Sequence, residues 1–419
     1  IPREAAVSII HQVYSAGGKY DPLFEQAAAK LEGPARGWLR EVTSGTLRWI
    51  GRLELILSTY SKAKPVKGRR LAALSLGAYQ ILVTDAFPAL VVSETVEWFK
   101  VNEGTEAGSF ANAVLRRLTE DKDKWKTSGL HGPGAEAAWA SLPPWMWNRL
   151  VSERGREWAM AFAEASLERP PLWIRARRAE WTPQAGEPGL VEGAWRVPNA
   201  GLIESRDGFA EAEFLVQDIS NQTLVHDVAE QVLLHRGAGE TGSPRALDVC
   251  AAPGGKSIGL AWSGFAVTAL EKNERRRRRL QENADRLAPA LGSVTVGDLS
   301  LLDQKIENTL GFDLVWLDPP CSGTGVLRRH PEIRWHRQES DLSALREIQR
   351  DLIPRAWKQV RNGGHLLYSV CSVLTEEGEG AYAWSTLPGA VEVKRWLFSP
   401  HLPPSGDGFW AVLLRRQSS

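Results

Sequence analysis

The most reactive side chains in this 419-residue chain are three cysteines, and all three fall in one C-terminal stretch of about 120 residues. Cys250 sits in Asp248-Val-Cys-Ala-Ala-Pro-Gly-Gly-Lys256, Cys321 follows Asp318-Pro-Pro320, and Cys371 sits in Tyr368-Ser-Val-Cys-Ser372. Each comes just after an apolar run that reads as a strand. A thiolate is a potent nucleophile even though only a few per cent of free thiols are ionised near neutral pH. A free cysteine is more often a small buried hydrophobe. Three at strand exits, with none elsewhere, are hard to assign to packing alone. The odd count and the absence of Cys-x-x-Cys argue against a disulfide framework and against a structural zinc site, so no metal is expected.

Other groups gather around these thiols. The run Leu314 to Leu317 reads as a strand buried on both faces, and it breaks at Asp318-Pro319-Pro320. Proline fixes φ, so the two prolines hold Asp318 and Cys321 in a set relation. The turn Ala251-Ala252-Pro253-Gly254-Gly255 follows another strand and opens a helix, where free N–H groups and close backbone approach suit a cofactor. It is neither the Gly-x-Gly-x-x-Gly fingerprint nor a P-loop. Glu271, about 20 residues on at the end of the next strand, is placed to accept hydrogen bonds from ribose hydroxyls. Lys256 supplies positive charge there or caps the loop. The five arginines Arg275 to Arg279 cannot all face one way on a helix; one or two are expected on the cofactor side. Arg328, Arg329 and His330, just past the Cys321 turn, are candidates for gripping phosphate.

These groups need a sheet to position them. From Pro244 onward the order is strand–helix–strand–helix, the sign of a parallel sheet covered on both faces. Strands are expected at Ala246–Val249, Val267–Leu270, Val294–Val296, Phe312–Leu317 and His365–Tyr368, with Val391–Phe398 and Gly408–Leu414 completing a mixed sheet. Helices are expected around Ile258–Trp262, Arg275–Leu287 and Leu342–Val360, and a turn at Asn362-Gly-Gly364. Upstream, helical periodicity dominates: Ala5, Ala6, Ile9, Ile10 and Val13 mark one face, and Leu39, Val42, Leu47, Ile50, Leu53 and Ile56 another. Leu71–Thr84, Val91–Val101 and Ser109–Leu118 extend the pattern. Between these regions lie a polar link, Thr119 to Gly134, further helices to about Leu167, and short strands near Leu172–Arg177, Gly193–Val197 and Phe209–Val216. There Arg175, Arg177 and Arg178 form a basic edge, facing either solvent or RNA. Three segments result: 1–125, 126–235 and 236–419.

Composition narrows the class. Net charge is +1, so a polyanion surface must be a local patch on a balanced background. No apolar run approaches the roughly 20 residues of a membrane helix, and Ile1-Pro-Arg-Glu-Ala5 has no signal-peptide pattern. The expected setting is a reducing cytoplasm, with no membrane partner.

The motifs around the three cysteines resemble those of S-adenosylmethionine-dependent RNA cytosine-5 methyltransferases. Val326-Leu-Arg-Arg-His-Pro-Glu-Ile-Arg-Trp335 is similar to the bacterial RsmB (Sun, Fmu) family, which modifies 16S ribosomal RNA. Leu76-Gly-Ala-Tyr-Gln80 and Asn112-Ala-Val-Leu-Arg116 resemble the NusB-like domain that this family carries. The resemblance implies an all-α NusB-like N-terminal domain (1–125) that binds RNA, a small α+β connector (126–235) and an α/β Rossmann-like class I methyltransferase domain (236–419). It implies S-adenosyl-L-methionine held by Cys250, Ala251, Ala252, Pro253, Gly254, Gly255, Lys256, Glu271, Asp298 and Asp318. It assigns Cys371 as the nucleophile that adds to cytosine C6. Asp318 would bind the cytosine N3 and amino edge, Cys321 would assist release, and Lys256 would join the catalytic group. Val370, Glu271 and Pro319 depart from the commoner Thr, Asp and Ala without removing a reactive group. The partner implied is 16S ribosomal RNA, free or partly assembled, met by a monomer. A transfer-RNA enzyme and an inactive RNA-binding assembly protein are the alternatives.

Overall fold

The computed structural model describes residues 2–61, 65–127, 134–198, 201–236, 240–287, 293–303 and 311–417. Contacts divide the chain into two compact units: Ile1–Pro170 with Leu327–Glu339, and Pro171–Val326 with Ser340–Ser419.

The first unit is helical throughout its described residues. Helices span Pro2–Ala16, Tyr20–Ala28, Gly33–Ser58, Gly68–Val83, Pro88–Glu103 and Thr105–Glu120, then Lys122–Thr127, Ala135–Trp139, Pro144–Arg154 and Arg156–Leu167. Pro88 and Pro144 stand in first turns, where a missing N–H leaves no bond unmade. The expected apolar faces meet in one core: Ala6, Ile9, Ile10 and Val13 with Leu39, Val42, Leu47, Ile50, Leu53 and Ile56. Periodicity does not announce Tyr20–Ala28, which buries only Tyr20, Phe24 and Ala28. The expected link from Thr119 contains the helix Lys122–Thr127, and its stretch 128–133 lies outside the described residues.

The segment Leu327–Glu339 corrects an expectation. Arg328 is only 2% exposed, and its carbonyl accepts a hydrogen bond from buried Arg48 at 3.3 Å. Its side chain is therefore interior to the helical unit and not presented to a phosphate. Further along, Arg334 donates to the carbonyl of Ser166 at 2.8 Å and Trp335 donates to that of Leu47 at 3.1 Å. His330 stays exposed, with Glu332 at 3.5 Å.

The second unit holds two sheets. The smaller comprises β1 (Leu172–Ala176), β2 (Glu187–Pro188), β3 (Ala194–Val197) and β4 (Phe214–Val216), in the antiparallel order β2-β3-β1-β4. Its basic edge is not a free surface: Arg175 donates to the carbonyl of Gly259 at 3.3 Å, and Arg178 pairs with Glu213. The larger sheet comprises β5 (Arg245–Val249), β6 (Ala266–Leu270), β7 (Ser293–Gly297), β8 (Phe312–Leu317), β9 (Val360–Val370), β10 (Ala390–Phe398) and β11 (Phe409–Arg416). Its order is β10-β11-β9-β8-β5-β6-β7; β9, β8, β5, β6 and β7 run parallel, and β10 and β11 are antiparallel additions. The architecture is thus a helical domain joined to an α/β Rossmann-like one.

Alternation builds the core on both faces of this sheet. Val315 and Leu317 of β8 pack with Tyr368 and Val370 of β9 under Leu352, Ile353 and Trp357 of the helix Asp341–Lys358. Leu314 and Trp316 point the other way, toward Leu224, Val225 and Val228 of the helix Ile219–Leu234. Full burial of such side chains contributes roughly 1.5–3 kcal/mol each. The expected turn at Asn362-Gly-Gly364 is instead part of β9, as an irregularity where the pairing with β8 shifts register.

His365 on β9 is 1% exposed, and neither ring nitrogen has a hydrogen-bond partner. Burial, then the nearby His235 and Arg415, push its pKa down to about 4 from an ordinary value of 6.5. A depressed folded-state pKa means the neutral ring is favoured on folding. Its contribution is complete above about pH 6.5 and is lost as pH falls toward 4, a span of roughly 3 kcal/mol. Urea titrations from pH 7 to 4 should show that loss, and His365→Leu should remove this share of it. An unchanged pH slope in the variant would contradict the assignment.

Candidate active site

Register determines where the chemistry collects. Gly297, Leu270, Val249, Leu317 and Tyr368 are paired neighbours across β7, β6, β5, β8 and β9. One residue beyond that row, in the same order, come Asp298, Glu271, Cys250, Asp318 and Ser369. The chain goes from β5 outward to β6 and β7 on one side and to β8 and β9 on the other. The switch point is therefore between β5 and β8, where ligands bind in open α/β sheets.

On the β5 side the Gly-rich turn forms a cradle. Cys250 has a left-handed φ of 66°, unusual for a residue with a side chain, and Gly254 has φ 104° where a Cβ would strike Leu280. Ala251 donates to the carbonyl of Leu270 at 3.0 Å and Gly254 to that of Ala251 at 2.9 Å, which seats the turn against β6. Asn283 donates to the carbonyl of Pro253 at 2.8 Å. Glu271 is 3% exposed; its Oε1 accepts from the N–H of Asn273 at 2.9 Å, while its buried Oε2 has no hydrogen-bond partner. Asp298 accepts from the N–H of Ser300 at 2.9 Å and pairs with Arg277; the backbone hydrogen bond first, then the side-chain bonds, hold its carboxyl below the usual range. Of the arginine run, Arg276 bonds the carbonyl of Ala252 at 2.7 Å and faces Glu271 at 3.5 Å, so two members reach this side as expected.

Between β5 and β8 lies a cluster of charges. Lys256 forms an ion pair and hydrogen bond with Asp318, and its ammonium lies over the Trp316 ring. Burial opposes the ammonium, but the charge and hydrogen bond of Asp318, then Asp248, raise its pKa overall. Asp248 is fully buried and its Oδ2 accepts from Ser257 at 2.5 Å; burial pushes its carboxyl up to about 7. Lys256 thus stands among two acids and is paired with one of them.

The thiols divide into a pair and a single. Cys321 and Cys371 lie with sulfurs 3.1 Å apart, both free and partly exposed. The hydrogen bond with Cys371, then burial, raise the pKa of Cys321 well above a free thiol's. The loops bearing the pair are bound together. Gly325 donates to the carbonyl of Cys371 at 3.0 Å, and the Ser322, Thr324 and Ser372 hydroxyls form a buried network. Gly325 and Gly408 meet backbone to backbone, leaving no space for a Cβ. Cys250 faces Glu271, Asp248 and Asp318 and is pushed up to about 12, chiefly by burial, which keeps it an inert thiol.

Several contributors have no motif to reveal them. Gln217, 7% exposed, donates to the carbonyl of Gly255 at 2.9 Å and so touches the cradle from the small sheet's exit. Asp218 caps the next helix and accepts from the N–H of Asp407 at 2.8 Å. An Asp before an apolar run was the available signal for the cap. Among the described residues no group of three metal-ligating side chains converges, and no helix is long and apolar enough to cross a membrane.

A Rossmann-like sheet with a Gly-rich cradle at its switch point and a buried acid one strand away is the arrangement of an α/β domain that binds a nucleoside-containing cofactor, the S-adenosylmethionine-dependent methyltransferases among them. Comparisons agree. Residues 234–384 match the family model for 16S rRNA methyltransferase RsmB/F, and residues 1–120 match the NusB family. Ribosomal RNA small subunit methyltransferase B of Cronobacter sakazakii is 32% identical over 90% of this chain and 87% of that protein. The Klebsiella pneumoniae protein of the same name is 31% identical over 99% and 98%. The crystal structure of PH0851 superposes over 99% of both chains with a TM-score of 0.71 at 20% identity. That of a methyltransferase homolog from Pyrococcus horikoshii covers 66% of this chain and 100% of its own, with a TM-score of 0.53 at 20% identity. The chain belongs to the RsmB/F 16S rRNA methyltransferase family, and its cofactor is S-adenosyl-L-methionine.

The cradle fits that cofactor. Oε2 of Glu271 is buried without a hydrogen bond, with the Arg276 guanidinium at 3.5 Å, so it keeps acceptor capacity for a hydroxyl, and the backbone of Cys250 to Gly255 allows close approach. Removing a hydrogen bond to a charged group costs about 1.5–3 kcal/mol. Glu271→Ala is therefore expected to weaken S-adenosyl-L-methionine binding roughly 10- to 100-fold in titration calorimetry. Unchanged affinity in a folded variant would remove Glu271 from the site.

Proposed function

We propose that this protein methylates C5 of a specific cytosine in 16S ribosomal RNA through a covalent adduct between Cys371 and C6. The observation that carries this reading is the Cys321–Cys371 pair, 3.1 Å apart, on the same sheet edge as the Lys256–Asp318 pair and the cofactor cradle. Two thiols in contact beside an acid match what the reaction needs. C5 of cytosine is too weak a nucleophile until a group adds at C6.

Cys371 adds through its sulfur to C6, and the electron pair of the C5–C6 double bond becomes available at C5. Cys321, held as a thiol by burial and its partner, donates a hydrogen bond to the Cys371 sulfur before attack. Asp318 accepts from the cytosine 4-amino group, and the proton that Cys371 loses passes through the Asp318 carboxyl to N3, which takes up charge as the C6–S bond forms, while Lys256 holds that carboxyl in orientation. When bound, S-adenosyl-L-methionine would supply an electrophilic methyl group for C5. Cys321, having released its own proton to solvent, takes the C5 proton as a thiolate; the C5–H electron pair restores C5=C6 as the C6–S bond breaks, and Cys371 departs as thiolate. Reaching the cytosine requires that it be unstacked or flipped.

The substrate reading rests on the family and the NusB-like helical unit, read as segment 1–125 ahead of a connector, 126–235, and a catalytic segment, 236–419. The protein is read as a cytoplasmic monomer acting on free or partly assembled small-subunit RNA. A binding-only role is opposed by two adjacent thiols that such a role does not require.

Two measurements test this. Bisulfite sequencing of ribosomal and transfer RNA from a deletion strain should show one 5-methylcytosine lost from 16S RNA; a loss in transfer RNA instead would move the substrate. Cys371→Ala should transfer no methyl group and form no adduct. Cys321→Ala should attack and methylate, then stall as a protein–RNA complex that survives denaturant. Cys250→Ala should keep substantial turnover. An adduct with Cys371→Ala in place of Cys321→Ala would reverse the roles, and normal turnover of both without adduct would end the covalent mechanism.

A further inference from the structure

Glu377 is a fully buried carboxylate just beyond Cys371 in the chain, outside every motif used above. Its Oε1 accepts from the N–H of Ser322 at 2.8 Å and from Nε2 of Gln349 at 3.1 Å. The same Gln349 nitrogen donates to the carbonyl of Pro320 at 3.0 Å. The two neighbours of Cys321 in sequence, Pro320 and Ser322, therefore both lead to one carboxylate, one directly and one through Gln349. The Tyr368 hydroxyl donates to the Glu377 carbonyl at 2.9 Å, which ties the acid to β9, the strand that ends one residue before Cys371. Its other oxygen, Oε2, is buried with no hydrogen-bond partner.

A buried carboxylate with one bare oxygen is costly, and an amide or apolar side chain would fill the same space at less cost. We propose that Glu377, relayed by Gln349, is the positioning residue of Cys321: it clamps the backbone on both sides of that thiol and so sets its distance to Cys371. This rests on the reading of Cys321 as the releasing thiol and deepens it. The ionisable groups facing Cys321 are Cys371, Glu377, Asp318 and Tyr368, with Lys256 behind Asp318. After the Cys371 hydrogen bond, burial and the charge of Cys371, the charge of Glu377 also favours the protonated thiol. Geometry and charge can be separated, because glutamine keeps the acceptor oxygen and loses the charge.

The test has two arms. In single turnover on an RNA fragment carrying the modified site, adduct formation and decay are followed on denaturing gels for wild type, Glu377→Ala, Glu377→Gln and Gln349→Ala. In the Cys371→Ser background, alkylation of Cys321 by iodoacetamide is followed by mass spectrometry across pH, with no RNA present. Glu377→Ala should slow adduct decay about tenfold while formation stays within about threefold, and Gln349→Ala should do so more weakly. Glu377→Gln should restore decay to within about threefold, with the alkylation profile moved about one unit to lower pH. Wild-type decay together with an unmoved alkylation profile in Glu377→Ala would overturn the proposal. Equal loss of both steps with no rescue by glutamine would also overturn it, as a merely structural role. Cys321→Ala runs alongside: if it accumulates no adduct, the assigned step of Cys321 fails, while the alkylation arm still decides whether Glu377 controls that thiol.

Discussion

The parallel register of β7, β6, β5, β8 and β9 is the constraint on which the site depends. Parallel strands of one sheet present their carboxyl ends together, so residues one position past an aligned row become neighbours whatever their separation in sequence. Asp298, Glu271, Cys250, Asp318 and Ser369 obey this rule through the pairings Gly297–Leu270, Leu270–Val249, Val249–Leu317 and Leu317–Tyr368. A one-residue slip of β8 would exchange its two apolar faces and carry Asp318 away from Lys256. The apolar alternation that builds the core is thus the same feature that sets the catalytic geometry. Phe312 to Leu317 is buried at every position, so no polar face sets its register; Asp313 helps to, accepting from the Arg245 N–H at 2.7 Å and from Arg361 at 2.7 Å.

Charge at the sheet's edge is arranged by contrast in burial. Asp248 lies fully inside, with a carboxyl pushed up to about 7, while Asp318 lies at the rim against an ammonium. Near neutral pH one acid thus spends part of its time protonated beside another that Lys256 keeps company. Cys250 and Cys321 show the same logic among thiols: both are pushed up, but only Cys321 has a second sulfur in contact. Proximity of the pair, and not cysteine content, distinguishes these two thiols from Cys250.

Much of this was legible in the order of residues because it is local. Strand, break and turn at Asp318-Pro319-Pro320, the Gly-rich opening of the helix Gly255–Trp262 and the exits of β6 and β9 each lie within a few residues of the side chains they position. What stayed hidden depends on distant partners. The bond of Gln217 to Gly255 spans 38 residues, and that of Glu377 to Ser322 spans 55. Arg175 looked like part of a basic edge because alternation shows which way a side chain points on its strand. It does not show that Gly259, 84 residues later, is waiting to accept from it.

The stretch Val326–Trp335 carries a further lesson about motifs. It lies directly after the Cys321 turn, and its arginines suggest a grip on RNA, yet its core positions serve the helical unit. Arg334 is wholly buried there, and burial, with Arg48 and Arg52 nearby, pushes its guanidinium down to about 9. Trp335 meets Tyr14 edge to face at 5.0 Å, and the ring of His336 bonds the carbonyl of Val13 at 2.7 Å. The helical unit is therefore not completed by the residues that precede the catalytic sheet. It takes back Leu327–Glu339 from the middle of that sheet's sequence. Packing inside one unit accounts for Arg328 and Arg334, which need no RNA to explain them. What packing disfavours lies elsewhere: two sulfurs in contact, and carboxylate oxygens of Glu271 and Glu377 buried without a hydrogen bond.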